Sequence, residues 1–374
     1  DRPQPDLNKV REAAKRISEA RRPVIVAGGG VRYSGAYEAL NKLAEAMHVP
    51  VATSLNAKDA ILDNNPLCVG VVGTYSRRSA NQVVAEADLV IFVGTRAGGM
   101  TTHFWTIPSK GTPTIQVDID PLVNGRNYPT DVSIVGDARV TLEKMNELNI
   151  PVPKERVEWL KQVKAICTSY KIDFKEVYES DAYPIRPERI VNELSNGMPK
   201  NAIIVVDTGH SGMWMGGMFE KRHEGQSYIR SAGHLGWAFP AALGAKCGAP
   251  HRPVVCFMGD LGFWYHMAEV ETAVRAGINT ITIINNNNSG NMAKGSISAI
   301  YDDQPTKESQ DIWVQNKINF AKIAENMGAV GIRVEKANEI APAFQKALKL
   351  DKPVVIDIAT DIEIVAPKAW EPKA

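Results

Sequence analysis

Asp260 stands in the run Gly259-Asp260-Leu261-Gly262-Phe263, directly after the apolar stretch Val254 to Met258. Asn287 follows 27 positions later, inside the run Asn285 to Asn288 that leads to Ser289 and Gly290. A carboxylate, an amide oxygen and a serine backbone carbonyl are hard donors, of the kind magnesium takes beside phosphate oxygens and water. The glycines let backbone N–H groups approach a phosphate, and a helix opening near 264 would turn its positive end towards it. Asp260, Asn287 and Ser289 are therefore the candidate metal ligands. Gly259, Leu261, Gly262, Gly290 and Asn291 are candidates for holding a diphosphate. An Asp-capped βα turn or a polar loop explains either run alone, but not both at this separation.

The two runs need elements that bring them together. Val254 to Met258 and Thr280 to Ile284 read as buried parallel strands, joined by a helix patterned Met267, Val270, Ala273 and Val274 that ends near Gly277. Both runs then lie at the carboxyl ends of strands, where open α/β sheets bind ligands. The rest of the chain has the same rhythm. Strands are expected at 23–27, 49–53, 88–93, 114–118, 203–207 and 353–358. Helices are expected at 6–20, 36–47, 138–147, 186–195, 264–276, 317–327 and 338–349. The fold class is α/β, with two doubly wound domains of mainly parallel sheet. The first covers 1–148. Residues 149–184, more charged and punctuated by Pro151, Pro153 and Pro184, form a connecting helix and linker, and the second domain covers 185–374.

Composition narrows the function. A net charge of +1 without blocks of like charge gives no support for nucleic-acid binding. No apolar run approaches the length of a membrane span, and no signal peptide is visible. Cys68, Cys167, Cys247 and Cys256 form no C-x-x-C pair, which points to a reducing cytoplasm. The first residue is Asp1 rather than Met, which suggests a preceding segment removed or carried by another chain.

The paired runs resemble those of thiamin-diphosphate-dependent enzymes of the acetohydroxyacid (acetolactate) synthase type. That family shares a Gly-Asp-Gly start and an Asn-rich end, its second metal-binding side chain also 27 positions beyond the Asp. This chain departs at Leu261, where a small residue is usual. Gly233-His234-Leu235-Gly236-Trp237-Ala238-Phe239-Pro240 resembles the family's Gly-x-Met-Gly-x-x-x-Pro segment. The resemblance gives Leu235 the place of the apolar side chain that supports the bent cofactor, and Gly233 the carbonyl that accepts from its 4′-amino group. Asp207-Thr208-Gly209-His210-Ser211-Gly212 corresponds to the loop that grips the far phosphate, through Gly209, His210 and Ser211. A helix N-terminus with a polar cap explains His210 and Ser211 equally simply.

The resemblance covers nearly the whole chain. It implies thiamin diphosphate and Mg2+ as cofactors, and decarboxylation or carboligation of a 2-oxoacid. The activating glutamate comes from a separate pyrimidine-binding domain or subunit absent from this chain, so the catalytic residue is not assigned here. The resemblance also implies a homo-oligomer. A 2-hydroxyacyl-CoA lyase or oxalyl-CoA decarboxylase relative, acting on an aldehyde or acyl-CoA, is the second reading. A cofactor-binding subunit or fragment not catalytic alone is the third, and a nucleotide-binding regulator is the simplest alternative outside enzymes.

The first domain resembles the family's central domain, which holds FAD in synthases and ADP in some relatives. Gly28 to Gly30, Thr53 to Leu55, Gly94 to Arg96, Asp118 to Asp120 and Gly136 to Ala138 sit where the nucleotide lies. Arg96-Ala97-Gly98-Gly99-Met100 replaces the Arg-Phe-Asp-Asp-Arg-like run of flavin-binding synthases, which weighs against FAD; ADP and an empty structural domain both remain open. Residues 291–313 read as a lid over substrate or as an ordinary surface loop. His103, His223 and His266 are candidates for facing a substrate cavity, His48 and His251 for surface or helix ends, and Trp214, Trp237 and Trp264 for wall or core.

Overall fold

The computed structural model describes residues 1–231, 233–302, 304 and 306–372. It divides into two compact units, one of residues 1–174, 220–222 and 368–374, the other of 175–219 and 223–367.

In the first unit six strands form one sheet: β1 Pro23–Ala27, β2 Val51–Thr53, β3 Cys68–Val71, β4 Leu89–Val93, β5 Thr114–Asp118 and β6 Val132–Val135. The order is β3-β2-β1-β4-β5-β6, and every pair is parallel. β1, β4 and most of β5 are buried at every residue, because helices cover both faces. Helix α1, Leu7–Glu19, begins where the Asp6 side chain accepts from the Asn8 N–H, and buries Val10, Ala13, Ala14 and Ile17 at helical spacing. α2 (Gly29–Ser34), α3 (Tyr37–Met47), α4 (Arg78–Glu86) and α5 (Ala138–Asn146) complete the layers.

A buried cation ties this unit together. Arg156, on α6 (Arg156–Tyr178), is wholly buried and sends its guanidinium to the carbonyls of Ile17, Ala20 and Met47. These are the last carbonyls of α1 and α3, where partial negative charge collects. Burial lowers the Arg156 pKa to about 10.

In the second unit β7 Ile203–Val206, β8 Ser227–Arg230, β9 Val254–Gly259, β10 Ile281–Asn286, β11 Val330–Val334 and β12 Val354–Ala359 form another parallel sheet, in the order β11-β12-β10-β9-β7-β8. From β7 the chain goes one way to β8, then returns past β7 to β9. The crevice between β7 and β9 is thus the point where strand order reverses. The helices are α7 (Pro187–Gly197), α8 (Gly209–Met218), α9 (Ala238–Gly248), α10 (Asp260–His266), α11 (Glu269–Ala276), α12 (Lys294–Ile300), α13 (Lys307–Asp311), α14 (Phe320–Asn326) and α15 (Ile340–Ala347). One core face joins Val205, Phe239, Cys256, Met258, Phe263, Ile284 and Phe320.

The doubly wound α/β architecture expected from the sequence is present in both units, and both sheets are wholly parallel. Four strands go unanticipated: β3, β6, β8 and β11. All are short; β6 alternates buried with exposed residues and β8 and β11 are mostly half-buried, while β3, though buried throughout, has only four residues with a glycine among them. The helix expected at 264–276 opens earlier, at Asp260, and breaks at Met267 and Ala268 into α10 and α11. Among the described residues no helix is long and apolar enough to cross a membrane.

Replacing Arg156 with Met should strand three helix-end carbonyls and destabilise the chain by about 2–4 kcal/mol. A lower urea midpoint at unchanged m value is the expected readout. An unchanged midpoint would mean that water serves those carbonyls equally well.

Candidate functional site

β9 and β10 run side by side, with Gly259 opposite Asn285, so the turns after them open on one edge of the sheet. Asp260 is 2% exposed. Its Oδ1 accepts from the Leu261 N–H at 2.7 Å, and its Oδ2 from the Ser289 N–H at 3.1 Å. The Ser289 hydroxyl donates to Asn287 Oδ1 at 2.9 Å. One serine therefore links both side chains singled out as metal ligands. Asn288 adopts the left-handed conformation (φ 55°), which Asn tolerates well. Its carbonyl accepts from the Gln315 N–H and its Oδ1 from the Ile318 N–H, pinning the turn from below.

The electrostatics suit the binding of a cation. Burial raises the Asp260 pKa to about 6, with a smaller push from Asp357; only the N–H groups of Leu261, Ser289 and Asn288 act the other way. No lysine or arginine is among the groups that hold it down. The donor set is one carboxylate, one amide oxygen and a backbone carbonyl. Among the described residues no three His, Cys, Asp or Glu side chains gather elsewhere as a metal cluster. One carboxylate with neutral oxygens fits magnesium shared with a phosphate, rather than a cage made wholly of protein.

The β7–α8 turn meets this cluster. A Cβ added to Gly259 would stand 3.4 Å from Ser211 Oγ, so Ser211 borders the turn that leads to Asp260. His210 Nδ1 lies 2.8 Å from Asn291 Oδ1, and Asn291 Nδ2 donates to the Ile364 carbonyl at 3.1 Å. Burial lowers the His210 pKa, so the ring is neutral near pH 7. Gly209, His210 and Ser211 form the first turn of α8, and their N–H groups are among those without partners inside the helix.

The turn before α9 comes in from the other side. Gly233 and His234 are exposed and Leu235 is half-buried. Leu235 Cδ1 is 3.4 Å from where a Cβ on Gly262 would stand. Leu261 settles against Gly290, where a Cβ would sit 3.2 Å from Leu261 Cδ2. The larger residue at this position is thus matched by a residue without a side chain across the cluster.

One residue of the site stood in the 207–212 run without being given a role from the sequence. Asp207, at the end of β7, is 1% exposed and accepts from the Gly236 N–H at 2.8 Å and the Ala238 N–H at 3.4 Å. Its only signal was an acid ending an apolar strand. Elsewhere, Trp214 is core, edge-on to His210, and Trp264 packs on Phe320 while donating to Gln315. His103 is engaged locally by Thr74 and Glu371. A cavity of about 500 Å³ lies along the 291–313 stretch, between Lys294, Ile297, Trp313, Val314, Ile362 and Glu363; no histidine lines it. Positions 303 and 305 of that stretch lie outside the described residues.

In the first unit, the turns named for a nucleotide have structural work. The Gly28 N–H donates to the Val93 carbonyl and the Gly30 N–H to the Gly94 carbonyl. Asp137 caps α5 through the Val140 N–H and pairs with Arg2 at 2.9 Å.

In the metal-free chain, Asp260→Asn should raise stability at pH 8. The folded pKa of about 6 lies above the unfolded value, so the folded state holds the proton more tightly. That contribution is complete below about pH 4 and is lost as pH rises through 6. A gain in Tm of about 2–4 °C at pH 8, shrinking through pH 6 and vanishing only below about pH 4, is expected. A gain independent of pH would contradict a charge effect.

Comparison with known proteins bears on both units. Residues 10–145 match the family model described as thiamine pyrophosphate enzyme, central domain. Residues 207–358 match the model described as thiamine pyrophosphate enzyme, C-terminal TPP binding domain. The chain is 34% identical over 370 residues to a "Probable acetolactate synthase large subunit" of Methanococcus aeolicus, covering 94% of this chain and 60% of that protein. It is 32% identical over 364 residues to the protein of the same description in Methanocaldococcus jannaschii, with the same coverage of 94% and 60%. An "Acetolactate synthase large subunit" of Corynebacterium glutamicum is 32% identical over 361 residues, 94% of this chain and 57% of its own length. The chain thus spans about 60% of the length of these curated relatives.

Proposed function

This chain belongs to the thiamine pyrophosphate enzyme family, and from that premise we propose that it binds thiamin diphosphate with Mg2+ and serves decarboxylation or carboligation of a 2-oxoacid. The observation that carries the reading is the Ser289 bridge between Asp260 and Asn287, just past the ends of neighbouring parallel strands, around a buried carboxylate held by backbone N–H groups. Residues 1–148 would be the central domain and 185–374 the diphosphate-binding domain.

Asp260, Asn287 and the Ser289 carbonyl would hold the metal. The N–H groups of Gly209, His210 and Ser211, with those near Leu261, Gly262, Gly290 and Asn291, would receive phosphate oxygens. The chain's part is to neutralise and orient. Asp260 would share its charge with the metal, and neutral His210, fixed by Asn291, offers no competing positive charge. Leu235 would support the rings, with Gly233 and His234 beside it. When bound, the cofactor supplies an electron sink for the bond broken or made next to a carbonyl. The activating glutamate is proposed to come from a separate pyrimidine-binding domain or subunit, within a homo-oligomer. The names of the relatives support acetolactate-synthase-like chemistry and a 2-oxoacid substrate.

Calorimetric titration with thiamin diphosphate should show heat with Mg2+ and little without it. Asp260→Ala and Asn287→Ala should each weaken binding by about tenfold or more in the presence of Mg2+. Equal binding with and without the metal defeats the reading. Mixed with a pyrimidine-binding partner domain, the chain should release CO2 from pyruvate. Turnover of a 2-hydroxyacyl thioester in its place would assign a lyase.

A further inference from the structure

Asp207 lies outside every group that would touch the metal or the phosphates, yet it contacts both the ring-bearing turn before α9 and the metal-bearing turn after β9. It continues the β7 ladder through its own N–H to the Phe257 carbonyl at 3.0 Å, so its backbone is fixed by the centre of the sheet. Its carboxylate accepts from Gly236 and Ala238, at the entrance to α9. That 11-residue helix has no side-chain cap of its own, because Trp237 stands at the capping position. A buried carboxylate from a neighbouring strand supplies the missing acceptor.

The second contact is with α10. A Cβ on Gly262 would stand 2.3 Å from Asp207 Oδ2, far inside contact distance, so only glycine fits there. The same Cβ position would stand 3.4 Å from Leu235 Cδ1, so Leu235 borders Gly262 at that point too. Asp207 and Leu235 therefore both pack against Gly262, which is two residues from Asp260. Nothing else described joins the 233–238 turn to the Asp260 turn through a charged, buried group. A plain helix cap needs only a serine or an asparagine; a carboxylate that accepts from two amides while packed on Gly262 fixes a distance as well.

We propose that Asp207 is a positioning residue: acting through Gly236, Ala238 and Gly262, it sets where Leu235 stands relative to Asp260, and so matches the ring-bearing side of the site to its metal-bearing side. The assignment rests on the thiamin diphosphate reading above. It concerns only the match between the two sides, so a ligand consisting of the phosphates alone should be indifferent to it.

The test compares two ligands on the chain, each with Mg2+: thiamin diphosphate and inorganic pyrophosphate. Asp207→Asn leaves one oxygen to serve two amides, and Asp207→Glu lengthens the arm against the turn before α9. Either variant should weaken thiamin diphosphate by about tenfold while pyrophosphate changes less than about twofold. Hydrogen exchange of the ligand-free chain supplies a readout independent of any ligand: amides of 236–238 should exchange faster in Asp207→Asn, and those of β9 should not. Equal weakening of both ligands, or faster exchange throughout the second unit, would mean that Asp207 merely holds the fold and would overturn the proposal. No change in either variant would overturn it as well. If the unaltered chain takes up neither ligand, the thiamin diphosphate reading itself fails, and this assignment goes with it.

Discussion

A carboxylate taken out of water must be compensated, and the second unit compensates Asp260 only in part. Backbone N–H groups reach both of its oxygens, which lets it be buried without leaving it comfortable as an anion. Full compensation would need a positive charge from outside the chain. Removing the carboxylate would therefore leave the Ser289 N–H and the Asn287–Ser289 pair organised around nothing. The sheet, the αL turn at Asn288 and the clasp from Gln315 and Ile318 all keep these few atoms in register.

Parallel strands make this arrangement economical. Each strand ends on the same edge, so turns far apart in sequence arrive side by side. The reversal of strand order between β7 and β9 makes a switch point there, the place where open α/β sheets bind ligands. Asp207 and Ser211 follow β7 and Asp260 follows β9, on either side of that point. The first unit has the same kind of reversal between β1 and β4, yet backbone hydrogen bonds zip its turns together at Gly28, Gly30 and Gly94. The two sheets share an architecture and differ in what their edges are free to do.

The part of the site most visible in the sequence was local. The spacing from Asp260 to Asn287 is the broken helix α10–α11 plus one strand, so a single βαβ unit dictates it, and the apolar runs on either side marked the strands. The helix start at Asp260 was hidden, because helical periodicity shows only from Phe263 onwards and a Gly-Asp-Leu-Gly run looks like turn. The short, half-exposed strands β6 and β11 lacked the continuous burial that identifies a strand. Asp207 was hidden for another reason. Its partners lie 29 and 31 residues ahead, across β8, and no local pattern marks a side chain whose role is tertiary. The Leu261 departure had the same character: its counterpart, Gly290, is visible only once the two turns are placed together.

The wholly parallel second sheet also governs when the site comes into being. Hairpins can pair as soon as two strands exist, but every neighbour here must wait for a crossover to be completed. β7 acquires β9 only after β8 and α9 have been laid down, and β10 joins after α11. Such distant pairings are slow to form, because chain entropy is lost before contacts return it. The crevice is therefore among the last features to mature during synthesis. A ribosome-bound chain stalled before β10 would carry the carboxylate but no pocket, leaving any ligand to stabilise a finished fold and never to guide an unfinished one.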